Sequence, residues 1–461
     1  MRFLKINKQL LLILLIHFVW LDLIAQKSEE NRIAPMGGGK FNVETNHSCV
    51  NNSHRESIVK LIQDNVIQFG LNKEHNSKLL SGDFIWPLKE SSALDFYDYH
   101  AISNFLDHDE TQGLLDYNCQ ERSYDNHKGT DFIMWPFPWY IYDNEFVEVV
   151  AVNDGVIVGK EDGNFDSNCS LINNSSTWNA IYLMHNDGYT TWYGHLKENS
   201  LTSKSIGDTI NQGEYLGLVA SSGFTDTPHL HFEVYNEAGE LVDPYTGDCN
   251  TAESLWQDQK EYREPTVNAV LTHSKIPEMG CPTANEKPHF SNDFMIGDTV
   301  FVAAYFHDQI ANEVYNYSLI DPNGNVWQTW EYSSDETFNI SWWYWCWFLP
   351  ANSPGTWRFR VEKDGQINEH LFNYGMSTGI HENELSNIII IYPNPTNSKL
   401  NIIGESDNIE ILRIFSTSGQ ELVNTRNWKN EIDISEFPKG IYFVKIVNNE
   451  SLEVTKRIIK Y

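Results

Sequence analysis

The chain is short of positive charge: 32 Lys+Arg stand against 63 Asp+Glu, a formal net charge of -31 over 461 residues. A surface this acidic repels a phosphate backbone and an anionic bilayer, so nucleic-acid binding and attachment to a charged membrane surface are excluded as readings. Long apolar runs are missing after Val19, and no later stretch reaches membrane-spanning length. Internal repeats and low-complexity tracts are missing too. Apolar material is not scarce. Hydrophobic residues make up 41% and charged residues 21%, enough for packed cores in two to four domains and too much for a disordered chain. Aromatics reach 13%, with 15 Trp, which favours β-rich domains over helical bundles.

The opening residues set the compartment. Arg2, Lys5 and Lys8 precede an apolar run from Leu10 to Val19, and Ala25-Gln26 offers a cleavage point. Residues 1–25 are therefore expected to be a secretory signal peptide, and no transmembrane segment is expected after its removal. Asp22 and the short apolar core argue against an uncleaved anchor. Six cysteines (Cys49, Cys119, Cys169, Cys249, Cys281, Cys346) are an even number in an exported chain, which predicts disulfides. Fifteen pairings of six cysteines stay open.

Residues 26–55 are polar and read as an extended segment. Ile58, Leu61, Ile62, Val66 and Phe69 then recur at helical spacing, with Gly70 as the stop. From Phe84 the text changes to short β-like runs broken by Gly, Asn and Asp, among them FVEVVAV, GVIVG, AIYLMH, TTWYGHL, EYLGLVA and HLHFEVY. This meander ends near Asp243-Pro244. A second β block, about Val267 to Tyr374, is spaced like a small Ig-like sandwich. Its SWWYWCWF, residues 341–348, reads as a strand buried on both faces rather than a sugar-stacking platform. The last 65 residues carry nine Lys+Arg and nine Asp+Glu, so the acidity lies upstream of them.

A lone His-x-His means little, and so does a lone HKGTD. The ensemble within one β meander means more: His127 and Asp131 in HKGTD, His195 in WYGHL, then His229 and His231 in PHLHFE. On a strand His229 and His231 project from the same face, so one imidazole can hold a metal while its neighbour reaches the water beside it. Gly129 allows a tight approach where the loop of His127 and Asp131 enters a strand. Two imidazoles and one carboxylate leave a position open, as in a catalytic rather than a structural zinc, and spare histidines then serve as base and oxyanion stabiliser. His185 in LMHNDG and the second His-x-x-x-Asp, at His289 and Asp293, lack such support. Glu233 and Asp243 read equally as orienting carboxylates and as solvated strand ends.

HKGTD, VVAVNDGVIVG, TTWYGHL, GDTINQGEYLGLVASSG, PHLHFEV and VDP stand in the order seen in lysostaphin/LytM-type zinc metallopeptidases, which the chain resembles from about Trp86 to Pro244. The resemblance implies an antiparallel β domain with one zinc, and endopeptidase activity against peptidoglycan cross-bridges or Gly-rich peptides. Carried over position by position, it makes His127, Asp131 and His231 the metal ligands and His195 and His229 the catalytic pair. Thr227 stands before PHLHFE where many relatives have Gly, and Glu161–Trp178, holding Cys169, looks like an insertion bordering the groove. The tail, with YPNPT, SGQEL, FPKGIY and a basic end at Lys456, Arg457 and Lys460, resembles the C-terminal sorting domain of Bacteroidota type IX secretion cargo. That implies export through the periplasm to the surface or medium by the type IX machinery.

The expectation is an all-β, multidomain chain: 1–25 signal peptide, 26–80 extension or propeptide, 81–255 zinc peptidase domain with an antiparallel β-sheet, 256–380 β-sandwich, 381–461 small β-sandwich sorting domain. The alternative is a non-catalytic wall-binding protein or adhesin on a degenerate peptidase fold. The segment from Gln26 to about Ser81 is further expected to restrain the enzyme, through a donor from Asn46, His47, Asn51, Asn52 or His54 and the apolar helix face; the bland alternative is an extension tied down by Cys49.

Overall fold

Alternating side chains build the first module. Its strands are β2 (Leu88–Glu90), β3 (His100–Asn104), β4 (Thr130–Met134), β5 (Val147–Val150), β6 (Gly155–Glu161) and β7 (Ala180–His185), after a separate β1 (Gly37–Lys40). They continue with β8 (Thr190–Gly194), β9 (Thr209–Ile210), β10 (Tyr215–Leu218), β11 (His229–Tyr235) and β12 (Leu241–Val242). In the computed structural model the main sheet runs β3-β4-β11-β8-β7-β6-β9, with β12 beside β11, and a smaller sheet runs β10-β5-β2. Leu230, Phe232 and Val234 of β11 join Phe132 and Met134 of β4, Ile181 and Leu183 of β7 and Val147, Val149 and Leu216 of the smaller sheet in one core. Period two then sends His229, His231 and Glu233 to the opposite face. The description covers residues 32–41, 49–71, 82–90, 94–169, 177–280, 286–375, 390–392, 394, 396–403, 409–416, 419–426, 431–448 and 453–460.

The opposite face is partly covered by the helix Asn52–Gln68. Asn51 caps it by accepting from the His54 N–H at 2.8 Å. Gly70, at φ +64°, follows its end. Ile58 is buried, and Leu61, Ile62 and Val66 pack with it on Val158, Ala180, Tyr182 and Trp192. The expected apolar face is there, docked on β6, β7 and β8.

The second module is a sandwich of β13 (Thr266–His273), β14 (Asp293–Phe294), β15 (Thr299–Gln309), β16 (Tyr315–Ile320), β17 (Val326–Tyr332), β18 (Phe338–Phe348), β19 (Gly355–Lys363) and β20 (Gln366–Tyr374). One sheet runs β1-β18-β15-β13 and the other β14-β20-β19-β16-β17, antiparallel except for β14 beside β20. Residues 26–55 are thus not simply an extended lead-in, because Gly37–Lys40 pairs with Ser341–Tyr344. Three glycines in a row have little strand propensity, and only the distant partner makes this strand. Trp343 and Trp345 enter the sandwich core with Trp330 and Trp357. Trp342 and Tyr344 face the other way, onto a cluster where Ile133, Trp135 and Phe137 meet Ala269, Leu271, Ala303 and Tyr305. The Trp-rich strand is therefore covered on both faces over most of its length, and only its end, Phe348, stands out in solvent.

These two modules form one compact unit, and the tail from Met376 forms another. In the tail, Ile390–Tyr392, Lys399–Ile403 and Glu431–Asp433 make a three-stranded sheet. Glu421–Thr425, Ile409–Ser416, Gly440–Asn448 and Glu453–Lys460 make a four-stranded one. Leu400, Leu412, Ile414, Val444, Ile446 and Ile458 are the core between them. The all-β, multidomain architecture holds, with two helices among the described residues, Asn52–Gln68 and Pro138–Asp143. No helix among the described residues is long and apolar enough to cross a membrane. The signal-peptide residues, Asn46 and His47 lie outside the described residues.

Cys119 and Cys249 form a disulfide, and Cys169 is disulfide-bonded as well. Cys49 and Cys346 keep free thiols. Cys49 therefore does not tether the N-terminal segment through a disulfide.

Candidate active site

Strand register sets the site. Across the main sheet His231 pairs with Asp131 of β4 on one side and with Gly194 of β8 on the other. His195 follows Gly194 directly, and His127 lies just before β4. All five residues expected from the sequence are brought together, and all are buried. Two glycines make the approach possible. A Cβ at Gly129 would lie 2.4 Å from the Phe232 carbonyl oxygen, and one at Gly194 would lie 2.3 Å from the Trp178 ring. His195 itself sits at φ +64°, a left-handed conformation uncommon for a non-glycine residue.

Each histidine has one nitrogen committed to a fixed acceptor. His127 Nδ1 donates to the Phe105 carbonyl at 2.7 Å, and His195 Nδ1 to the Ser222 carbonyl at 2.5 Å. His229 Nδ1 donates to the Thr227 carbonyl at 2.9 Å, and His231 Nε2 to Glu233 at 2.8 Å. The other nitrogens converge. His127 Nε2 lies 3.3 Å from His231 Nδ1 and 3.1 Å from Asp131 Oδ2, and His231 Nδ1 lies 2.7 Å from Asp131 Oδ1. His229 Nε2 is 3.5 Å from Asp131 Oδ1, and the Nε2 atoms of His195 and His229 have no hydrogen-bond partner although both are buried. Carbonyls and a carboxylate that fix the tautomer are the usual support of metal-binding imidazoles. Donor atoms of His127, Asp131 and His231 all lie within 4.8 Å of one another, a set of two imidazoles and a carboxylate able to hold a divalent cation.

Other residues around the site carry no motif. Asn104 of β3 donates to Asp131 Oδ2 at 3.1 Å. Arg55, from the helix, grips Glu233 with both terminal nitrogens, at 2.5 and 2.8 Å. Tyr124 lies over His127 with ring centroids 4.3 Å apart, and Trp178 sets its edge against His195 at 5.2 Å. The insertion does border the site, through Trp178 and through Asn168, which bonds the backbone of Ser221 and Gly223 beside Ser222. Glu233 is an orienting carboxylate, whereas Asp243 accepts from His108 at 2.8 Å away from the cluster. Asn51 and His54 do not reach it: the first caps the helix and the second pairs with Glu161 at 3.0 Å. Cys49 does reach it. Its Sγ and one nitrogen each of His195, His229 and His231 lie within 4.8 Å of one another.

Burial and charge oppose each other here. Burial pushes Asp131 up, but His127 and His229 outweigh it and hold the carboxyl well below its ordinary range. Burial would likewise raise Glu233, and the Arg55 guanidinium reverses the sign. Burial lowers His229, but Asp131 drives it up to about 10. His195 is lowered, first by burial and then by the charge of His229. Burial would raise the Cys49 thiol, yet the charge of His231 and the nearness of His195 and His229 hold it well below its ordinary value.

Residues 126–244 match the model of peptidase family M23, and residues 390–461 match that of the secretion system C-terminal sorting domain; the chain carries both domains. Among its relatives is the glycyl-glycine endopeptidase ALE-1 of Staphylococcus capitis, 32% identical over 109 residues, which are 23% of this chain and 24% of that protein. Another is the peptidoglycan DD-endopeptidase ShyC of Vibrio cholerae, 27% identical over 135 residues, 29% of this chain and 26% of that protein. The chain thus spans about a quarter of each relative's length. The crystallised catalytic domain of lysostaphin from Staphylococcus simulans is 22% identical, with 37% of this chain and 96% of that one covered and a TM-score of 0.19.

Proposed function

We propose that the chain is a secreted zinc-dependent metalloendopeptidase that hydrolyses peptide cross-links of peptidoglycan or Gly-rich peptides. The convergence of His127 Nε2, Asp131 and His231 Nδ1 beside two buried imidazoles with free Nε2 atoms carries this reading. His127, Asp131 and His231 would hold one zinc, which when bound would supply Lewis-acid polarisation and bring the pKa of a water to roughly 7. The chain's own groups do the rest. Asn104 and Glu233 hold the ligands in orientation. His195 and His229, each with Nδ1 committed to a carbonyl, offer only Nε2. In its neutral form such an atom accepts the proton of the attacking water, and in its protonated form it donates to the developing oxyanion or the leaving amine. The two histidines share these tasks as the catalytic pair. Trp178 and Tyr124 exclude bulk water from one side, which strengthens each of these interactions.

The substrate class follows from the relatives' names, a glycyl-glycine endopeptidase and a peptidoglycan endopeptidase. We assign residues 81–255 as the catalytic module, 256–380 as the sandwich and 381–461 as the sorting module. The tail engages the type IX machinery after signal-directed entry into the periplasm of a Bacteroidota-like cell, and the product reaches the surface or medium. The test incubates the full chain and its Cys49→Ala variant with purified peptidoglycan and with a Gly-rich peptide, and reads the products by mass spectrometry. New termini at peptide bonds, lost with a chelator and restored by zinc, are expected. Binding to peptidoglycan without any cleavage, by either form, would return the protein to the adhesin class.

A further inference from the structure

Among the described residues, a second group of metal-ligating atoms overlaps the first. Cys49, His195, His229 and His231 each bring one donor atom within 4.8 Å of the others, and His231 belongs to both groups. Its Nε2 is committed to Glu233, so Nδ1 is the nitrogen left to serve both. Cys49 is 8% exposed, and the only polar contact of its Sγ outside the histidines is the Tyr124 hydroxyl at 3.0 Å. The buried Nε2 atoms of His195 and His229 make no hydrogen bond, and each of these two histidines brings a donor atom within 4.8 Å of the Cys49 Sγ. A thiol placed among imidazoles in this way has the chemistry of a ligand rather than of a small apolar core residue.

We propose that Cys49 is a further ligand of the metal held by His127, Asp131 and His231, so that its thiolate plugs the catalytic site from within the chain. The inference rests on the metal reading given above. Charge favours it: a divalent cation with one carboxylate keeps a net positive charge in a buried site, and one thiolate brings that charge to zero. Anchoring favours it too. Upstream, Gly37–Lys40 is held as a strand against β18. Downstream, the helix starts at Asn52 and is fixed by Arg55 on Glu233, by Asn65 Nδ2 donating to the Val158 carbonyl at 2.8 Å, and by buried Ile58. Cys49 therefore stands two residues before Asn51, the cap of a helix that is itself anchored on the sheet. That helix supplies Arg55, which balances the carboxylate that orients His231, so plug and ligand support belong to adjoining residues of one segment. An active enzyme needs the thiolate withdrawn, because Sγ lies within 4.8 Å of a donor atom on each of His195 and His229.

Cobalt tests this without relying on turnover. The chelator-treated full chain is loaded with one equivalent of Co²⁺, alongside its Cys49→Ser and Cys346→Ser variants. A sulfur-to-cobalt charge-transfer band in the near ultraviolet is expected in the native chain and in Cys346→Ser, and its loss in Cys49→Ser. On the native zinc-loaded chain, thiol titration should find Cys49 shielded until a chelator is added, which covers the case of a poorly folded variant. Cys49→Ser should also turn over substrate several-fold faster than the native chain. Stoichiometric cobalt with visible d–d bands but no sulfur band would overturn the inference and leave the metal reading intact. Failure to bind cobalt at all would overturn both, with a different signature.

Discussion

His231 and His273 are buried alike, at 1% and 0% exposure, and nothing in burial separates them. Their partners do. His273, on the sandwich strand β13, donates Nδ1 to the Pro288 carbonyl at 2.7 Å and meets the Tyr305 hydroxyl with Nε2 at 3.1 Å. No carboxylate and no second imidazole nitrogen is offered to it at those contacts, and burial lowers its pKa to about 3. His185 in the peptidase sheet is the same kind of residue, bonded to the Asp154 carbonyl and the Thr191 hydroxyl, both at 2.8 Å. Around His231, by contrast, three further imidazoles and Asp131 turn nitrogens and oxygens toward one another. A core histidine finishes its hydrogen bonding locally; a site histidine leaves one nitrogen for something that is not a neighbour's backbone.

Substitutions should split along that line. The largest effect is expected for Asp131→Ala or His127→Ala, which removes a ligand: hydrolysis of peptidoglycan should fall to background, as followed by product release. Next come His195→Ala and His229→Ala, which should keep zinc but lose turnover by about a hundredfold or more, measured as kcat with metal content in parallel. Loss of zinc in His229→Ala would mean that the roles of His229 and His231 are exchanged. His273→Ala should do the reverse, leaving zinc and kcat as they are while denaturant unfolding shows a loss of roughly 2–3 kcal/mol from the cavity and the unsatisfied carbonyl.

The smallest effect concerns acids rather than histidines. Glu286, in the loop after β13, is buried with Tyr140 N–H donating to Oε1 at 2.7 Å and no cation among its partners. Burial pushes its pKa up to about 8, the opposite of Glu233 beside Arg55. A carboxyl raised in the folded state contributes stability that is full below its unfolded pKa and is lost as pH rises through the folded value. The native chain should therefore lose stability between roughly pH 5 and 8, and Glu286→Gln should flatten that slope. Melting temperature against pH checks it; an unchanged slope would mean that Glu286 ionises normally.

Much of the site was legible because local pattern and register cooperate. HLH on a strand puts His229 and His231 on one face, and HKGTD places Asp131 on β4 opposite His231. What was not legible depends on distant pairing. Arg55 meets Glu233 across 178 positions, and no local signal marks either as a partner. Asn104 reaches Asp131 only through the pairing of β3 with β4, and Gly37–Lys40 becomes a strand only against β18. The free thiol of Cys49 was not legible for another reason: an even cysteine count in an exported chain suggests pairing, yet parity says nothing about which thiols stay free. The helix and the strand runs were readable because their apolar periods, 3.6 and 2, match the faces that the cores in fact bury.

The most direct measurement is calorimetric titration of Zn²⁺ into the chelator-treated full chain, its Asp131→Ala variant and its His273→Ala variant. One saturable site per chain is expected in the native protein and in His273→Ala, and none in Asp131→Ala. Undiminished zinc binding by Asp131→Ala, or no binding by the native chain, would contradict the claim that the converging groups of β4, β8 and β11 form a metal centre.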